Sequence, residues 1–463
     1  MRPFLTPIFA ALLLAPPLRA QTTVIDHVRV IDGAGHPPRA NMAVVVSDGV
    51  IQGMAPSRPG LKLPADARIL DAHRLTMLPG LINAHGHLGL VDGTENSSTY
   101  YTLPNVLAEL RQYEHYGVTA MLSLGLNRDI IYRLQEQQKA GALDGATVFV
   151  ADHGIGVDQG APPLQHADDQ LDQPKTPDEA RKDVDAAAAR HTNYIKIWVD
   201  DLYGTKPKMQ PAIYTAVIDE AHKQHLPVAA HEFYLADAKA LVASGVDVLA
   251  HSVRDQPVDA EFIRLMKQHG TWYIPTLTVD ESFFVFADHP ELLNDPFLVR
   301  ATTSEELNLL RSEAYRKKVA ADPNTARHRA DFAMASRNLK RLYAAGVHIG
   351  FGTDSGANAV RMPGYAEQRE LELMVAAGLT PLQAIECATR NNAMILGMGA
   401  GASAVSGKQG FGVITPGKEA DFLLVEGDPA RAIGDTRKMV SIWHHGFEGQ
   451  PWVKEAVQTA PAQ

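Results

Sequence analysis

Two histidines one residue apart open the chemistry of this chain. They stand in Leu78-Pro-Gly-Leu-Ile-Asn-Ala-His85-Gly-His87, which reads as a short buried strand ending in His85 and His87. On a strand, residues i and i+2 point to the same face, so both imidazoles can aim at one point. Imidazole is the commonest metal ligand among side chains, and zinc accepts such nitrogen donors. Further along, other groups able to ligate a metal or move a proton stand at the ends of apolar, strand-like runs. Lys196 lies in Tyr194-Ile-Lys-Ile-Trp, His231 ends Ala229-Ala-His, His251 ends Leu249-Ala-His, and Asp354 lies in Gly352-Thr-Asp-Ser-Gly. Each has a bland reading on its own. A histidine can be a satisfied core residue, a lysine can snorkel, and an aspartate can cap a helix or close a turn. Their recurrence at five strand ends favours a shared site.

The elements that must position these groups follow from the pattern between Leu78 and about Asn392. Apolar runs alternate with helical periodicities, which indicates a parallel sheet. The expected strands are Gly80–Ala84, Val118–Leu124, Ala146–Ala151, Tyr194–Val199, Leu226–Ala230, Val246–Ala250, Trp272–Thr278 and Val347–Gly352. Eight such strands close a (β/α)8 TIM barrel, whose active sites lie at the C-terminal strand ends. Pro275 falls inside the seventh and predicts a bulge or an early strand end there. Thr176-Pro-Asp-Glu179 reads as a capping box with proline at the first helical position. Gly245 and Gly270 read as helix stops. Two long connections, Gly154–Lys175 and Asp280–Ala330, follow strand ends and are placed to cover the barrel mouth.

Residues 21–77 carry short β-like runs separated by Asp32-Gly33, Asp48-Gly49 and Pro59-Gly60. Such a stretch is too short to close a core alone. Residues 393–463 supply further short strands, among them Ala420-Asp-Phe-Leu-Leu-Val and Val440-Ser-Ile-Trp. The expected architecture is α/β, with the barrel of residues 78–392 inserted into a composite β-sandwich formed by both termini.

Composition narrows the function. The chain has 463 residues, 45% hydrophobic and 21% charged, ample for a large core. A net charge of −10 without a basic block speaks against nucleic acid as partner. Met1-Arg2, an apolar run to Leu18 and Arg19-Ala20-Gln21 read as a signal peptide over residues 1–20, too short to span a bilayer. The expected location is periplasmic or secreted, with no membrane span. The single cysteine, Cys387, sits in a helical pattern and reads as a buried structural thiol, so no internal disulfide is expected.

Taken together these motifs resemble the amidohydrolase superfamily, in its binuclear metal-dependent branch of prolidase-like and imidazolonepropionase-like enzymes. The likeness includes Val30-Ile-Asp-Gly, the His85-Gly-His87 stretch, His115-Tyr-Gly-Val-Thr, Ile195-Lys-Ile, both later histidines, Gly352-Thr-Asp-Ser-Gly and Thr415-Pro-Gly-Lys-Glu-Ala-Asp-Phe-Leu-Leu. It implies that His85, His87 and Asp354 hold one divalent ion and His231 and His251 a second. Zn2+ is the ion favoured by such donors. Lys196, carboxylated by CO2, would bridge them as a carbamate. It implies a metal-activated hydroxide and Asp354 as the catalytic proton shuttle. The expected substrate is a small-molecule amide of the dipeptide or N-acyl amino acid type. A lactonase or cyclic-amide hydrolase on the same ligands, or a non-catalytic binder, stays open. Dipeptidase relatives often carry a tyrosine two residues after the fifth-strand histidine and an Arg-Asp pair ending strand two. Here Phe233, followed by Tyr234, and Leu122-Ser123 stand there. His153, Phe233 and Tyr234 are candidate substrate contacts, and Phe283 and Phe284 add apolar candidates for the mouth. The sequence leaves a homo-oligomer open.

Overall fold

The computed structural model describes residues 22–142, 144–398 and 410–451. The expected signal peptide lies outside the described residues. Strands from both ends of the chain share one eight-stranded sheet. Thr23–Val30, Arg39–Ser47, Val50–Pro56, Arg68–Asp71 and Leu75–Pro79 come from the N-terminal part. Phe422–Glu426, Met439–His444 and Phe447–Gly449 come from the C-terminal part. Leu75–Pro79 and Phe422–Glu426 pair antiparallel, from Phe422 opposite Pro79 to Glu426 opposite Leu75. The two ends therefore form one continuous ladder, not two separate sheets. Alternate side chains bury Ile25, Val44, Met77, Leu424 and Trp443 in one cluster, with Phe422 stacked on Trp443 at 5.1 Å. This alternation is what makes the segments strands.

From Pro79 the chain turns through Gly80 into the first inner strand, Leu81–Gly86. It pairs in parallel with Val118–Ser123, which pairs with Thr147–Val150. A second parallel set runs Ile195–Trp198, Val228–His231, Val248–Leu249 and Trp272–Tyr273. Backbone bonds join the sets into a circuit. Tyr194 N–H donates to Val150 O at 3.1 Å, Tyr273 bridges Ile349, Ala84 N–H donates to Phe351 O at 3.1 Å, and Gly86 bridges Ser355. Ile82, Leu122, Phe149, Tyr194, Ala229 and Val248 fill the interior beneath the strand ends.

Two strands depart from expectation. The seventh ends at Tyr273, two residues before Pro275, and a helix opens at Leu277. The missing proline N–H forbids further pairing there. The eighth is reduced to the bridge at Ile349. A Cβ on Gly352 would stand 2.6 Å from His85 Cβ, so glycine permits the approach that brings the eighth segment against the first. The helix ends follow the sequence. Thr176 accepts from Glu179 N–H, although the Glu179 carboxylate returns to Lys175 N–H at 2.7 Å and not to the cap itself. Gly270 ends Ala260–His269 in the left-handed region. Cys387 is free and buried, and burial pushes its thiol pKa up.

One carboxylate locks the first and eighth segments together. Glu367, wholly buried on helix Tyr365–Ala377, accepts from Thr353 Oγ1 at 2.5 Å, Ser355 Oγ at 2.7 Å and Asn83 Nδ2 at 2.7 Å. Its other oxygen accepts from Gly364 N–H at 2.6 Å. Asn83 Oδ1 in turn accepts from His85 N–H at 2.9 Å. Thr353 and Ser355 flank Asp354, so this network sets the spacing between Asp354 and the two histidines. Each buried donor left without a partner costs roughly 1–3 kcal/mol. Glu367→Ala is therefore expected to lower unfolding stability by about 3 kcal/mol or more, read by urea titration. Glu367→Gln, which keeps one acceptor oxygen, is expected to lose less. A Glu367→Ala protein as stable as wild type would show that the network does not hold the strands.

Candidate active site at the barrel mouth

His85 and His87 end the first inner strand, and their Nε2 atoms lie 3.2 and 2.9 Å from the same oxygen, Asp354 Oδ1. Asp354 sits just past the eighth segment with φ 57°. Its other oxygen accepts from Arg361 Nη2 at 2.8 Å, and Arg361 Nε donates to Asp354 O at 3.0 Å. Burial raises the Asp354 pKa, but Arg361 and the two histidines outweigh it and hold the carboxyl well below its usual range. One ligand atom from each of His85, His87 and Asp354 lies within 4.8 Å of the others.

His231 and His251 close the group from the fifth and sixth strands. Ring centroids of His231 and His251 are 4.5 Å apart, and those of His251 and His85 4.6 Å. Each has one nitrogen engaged behind it. His231 Nε2 lies 3.0 Å from Asp200 Oδ2, and His251 Nδ1 lies 2.8 Å from Thr276 Oγ1. That leaves Nδ1 of His231 and Nε2 of His251 to face the group, the arrangement by which outer partners orient metal-binding imidazoles. Burial lowers the pKa of His85 to about 3, of His231 against the pull of Asp200, and of His251 well below the ordinary value. Neutral imidazole is the ligating form.

Lys196 lies under these rings with no exposed surface, and its Nζ has no hydrogen-bond partner. Burial lowers its pKa to about 7, against the pull of Asp354 and Glu232. Both nitrogens of His85 and Nδ1 of His87 are likewise buried without a hydrogen bond. Polar atoms buried without partners are costly. Lone pairs converging on one point are satisfied by a cation, and a neutral or carboxylated lysine fits beside one where an ammonium does not. The donor set, imidazole nitrogen with carboxylate oxygen, suits a divalent metal.

Above these groups is a cavity of about 300 Å3, whose walls include Trp198, Phe233, Val279, Phe283 and Leu126. Pro162, Pro163 and Leu164 reach it from one long connection, and Phe283 and His328 from the other, as the sequence pattern anticipates. His328 stacks on Phe283 with centroids 3.9 Å apart. Of the anticipated substrate contacts, Phe233 and Phe283 line the cavity and three others do not. Tyr234 donates to Asp201 Oδ1 at 2.8 Å. His153 turns to Asp172, 3.4 Å away. Phe284 packs on Phe332. The sequence reading missed Asp200, Arg254, Thr276, His328 and Arg361. Asp200, Arg254 and Arg361 lie two, three and seven residues past Trp198, His251 and Asp354, in loops that begin at strand ends. That position was the available signal.

Comparison with known proteins agrees with this geometry. Residues 76–448 match the amidohydrolase family. Ochratoxinase of Aspergillus niger is 25% identical over 96% of this chain and 91% of its own. A Xaa-Pro dipeptidase structure with bound methionine superposes with TM-score 0.71 at 22% identity, covering 93% of this chain and 100% of that one. A prolidase in complex with N-methylphosphonate-L-proline gives 0.72 at 20% identity, over 93% and 100%. Both structures share the fold. With a family match spanning the inner strands and the outer sheet alike, the chain belongs to the amidohydrolase family and is a hydrolase of carbon–nitrogen bonds.

Proposed function

We propose that this protein is an exported, metal-dependent amidase acting on dipeptides or N-acyl amino acids with an apolar or aromatic half. One observation carries the reading: a buried, unpartnered Lys196 amine stands among His85, His87, His231, His251 and Asp354. His85, His87 and Asp354 would hold one divalent ion, His231 and His251 a second, with Lys196 carboxylated between them. Two such ions, zinc on this donor set, would supply carbonyl polarisation and a water of lowered pKa. Asp354 is placed to hold a proton at Oδ1 and pass it to the leaving amine. Arg361 fixes the carboxylate by one oxygen and leaves the other towards the histidines. Asp200 and Thr276 hold His231 and His251 in their ring orientations. Trp198, Phe233 and Phe283 take the apolar half and exclude bulk water. Arg254, on the same wall, is suited to a carboxylate on the amine half.

Residues 1–20 are proposed as the export signal, with 78–392 as the catalytic unit between the two parts of the outer sheet. N-terminal sequencing of protein from its native host should begin at or near Gln21. Recovery of intact Met1 from the cytoplasmic fraction would refute export.

A panel of N-acyl amino acids, dipeptides, lactones and cyclic amides tests the activity. Turnover is expected for acyclic amides with aromatic acyl groups, with modest selectivity, since an apolar wall discriminates by only about 1–3 kcal/mol per methylene-sized change. Chelation should abolish it. Hydrolysis of lactones alone would overturn the amidase reading.

Lys196→Ala tests the bridge. The variant is expected to keep its far-UV circular dichroism, lose one of two metal ions by elemental analysis, and lose most turnover. Acetate, filling the vacated space, should restore part of both. Two retained ions with near-wild-type turnover would remove Lys196 from the site.

A further inference from the structure

A separate group of polar side chains stands in the wall of the mouth cavity. His328 and Asp331 are three residues apart on the helix Thr325–Ala344 and so share one face. Asp280, on the short helix Leu277–Glu281, meets them there. One acceptor atom from each of Asp280, His328 and Asp331 lies within 4.8 Å of the others. All three side chains are buried, His328 with 8% of its surface exposed. Asp280 and His328 line the same cavity as His87, His231, His251 and Asp354.

The protein engages one oxygen of each carboxylate and leaves the other without a donor among the described residues. Asp280 Oδ2 lies 3.2 Å from Arg254 Nε. Asp331 Oδ2 accepts from the Tyr203 hydroxyl at 3.1 Å and lies 4.0 Å from Arg327 Nε. His328 Nδ1 is buried with no hydrogen-bond partner, and the ring is fixed instead by its stack on Phe283. No hydrogen bond or ion pair joins the ring to either carboxylate. Burial outweighs the arginines and raises both carboxyls, Asp280 to about 6, and it lowers the His328 pKa, which leaves that ring neutral at pH 7. Three atoms at this outer spacing surround a point about 2.8 Å from each, the length of a hydrogen bond. Zinc needs its ligands at about 2.0–2.2 Å, a tighter cluster. Three acceptors around one point match the three protons of a primary ammonium, where water offers two. The neighbouring guanidiniums do not fill that point, because Arg254 lies on the Phe233 ring at 4.7 Å and Arg327 on the Tyr203 ring at 3.6 Å.

We propose that Asp280, His328 and Asp331 form a receptor for a primary ammonium carried by the substrate. This rests on the amidase reading and narrows it: an amide bearing a protonated amine is preferred over one of the same skeleton without it. The unengaged oxygen of each aspartate and one ring nitrogen of His328 each accept an N–H. Phe283, stacked on His328 and 41% exposed, offers an apolar face to the carbon skeleton beside the amine. Asp280 and His328 come from the long connection over the mouth, so the receptor belongs to the wall and the bond-cleaving groups to the floor.

Calorimetric titration of the full-length, zinc-saturated and desalted protein tests this. The probes are 2-phenylethylamine and its trimethylammonium analogue, which keeps ring and charge but has no N–H to donate. Wild type is expected to bind the primary amine at least about tenfold more tightly than the analogue. Asp331→Asn, and His328→Phe, which keeps a ring on Phe283, are each expected to weaken the amine by about tenfold or more and to shift the analogue by no more than about twofold. Two amides of one apolar skeleton, with and without a primary amine, give a second reading. The ratio of their kcat/KM values should favour the amine in wild type, through KM, and fall towards one in either variant. Amine binding needs no turnover, so a protein that binds the amine and cleaves no amide loses the amidase reading and keeps the receptor, and one that cleaves amides and binds no amine does the reverse. Equal affinity of wild type for the two probes, or an undiminished amine affinity in either folded variant, overturns the receptor.

Discussion

Lys196 places an ionisable amine where no water reaches it and no neighbour accepts its proton. Desolvation of this kind disfavours the charged form and can move a lysine by several pKa units. The surrounding groups respond to the same constraint. His85, His231 and His251 are all driven towards the neutral form by burial, while Asp354 stays ionised because Arg361 and the histidines face it. The result is a pocket with lone pairs in excess and an ionised Asp354 carboxylate against the histidines. A protein with only packing to achieve would have no reason to maintain such a group, because apolar residues of the same volume would be cheaper to bury.

Holding these groups in register requires backbone as well as side chains. His85 and His87 belong to a strand that is bonded to its neighbours on both sides, and Asp354 belongs to a segment with only a bridge and single hydrogen bonds. The weaker partner is tied down by Glu367, whose carboxylate spans Asn83, Thr353 and Ser355. Gly352 removes the side chain that would hold the two segments apart. Pro275 ends the seventh strand early and so releases Thr276 to meet His251. The irregular positions of the barrel are thus the ones that set the ring orientations.

Much of this was legible in the sequence because it is periodic or local. Seven of the eight expected inner strands appear as strands near their predicted positions, since apolar runs of that length bury on both faces. The ligand-type residues were legible because each lies in such a run or at its end. What was not legible depends on contacts between distant segments. Thr276 behind His251 has no local pattern to announce it, and Asp200 behind His231 and Arg361 behind Asp354 offered only their place in loops that begin at strand ends, because each is defined by the neighbouring strand or loop it meets. Tyr234 lies past the strand end at His231, and its bond to Asp201 again depends on a separate loop that no local pattern announces.

The mouth separates into a rigid floor and a replaceable wall. On the floor, Asp354, His231 and His251 are each held by the backbone at a strand end and by a partner behind the ring or carboxylate. Wall residues from the long connections hold mainly to one another. Phe283 stacks on His328, Arg327 lies 3.6 Å from the Tyr203 ring, and Tyr203 meets Phe233 edge-on at 5.1 Å. Contacts within a wall of this kind can be exchanged without moving the floor, because no floor partner depends on Phe283 or on the proline turn at Pro162 and Pro163. Loops on a fixed scaffold are where specificity changes most freely. Family membership therefore fixes the bond class cleaved, while the wall of the cavity is set by aromatic packing among segments that the floor does not constrain.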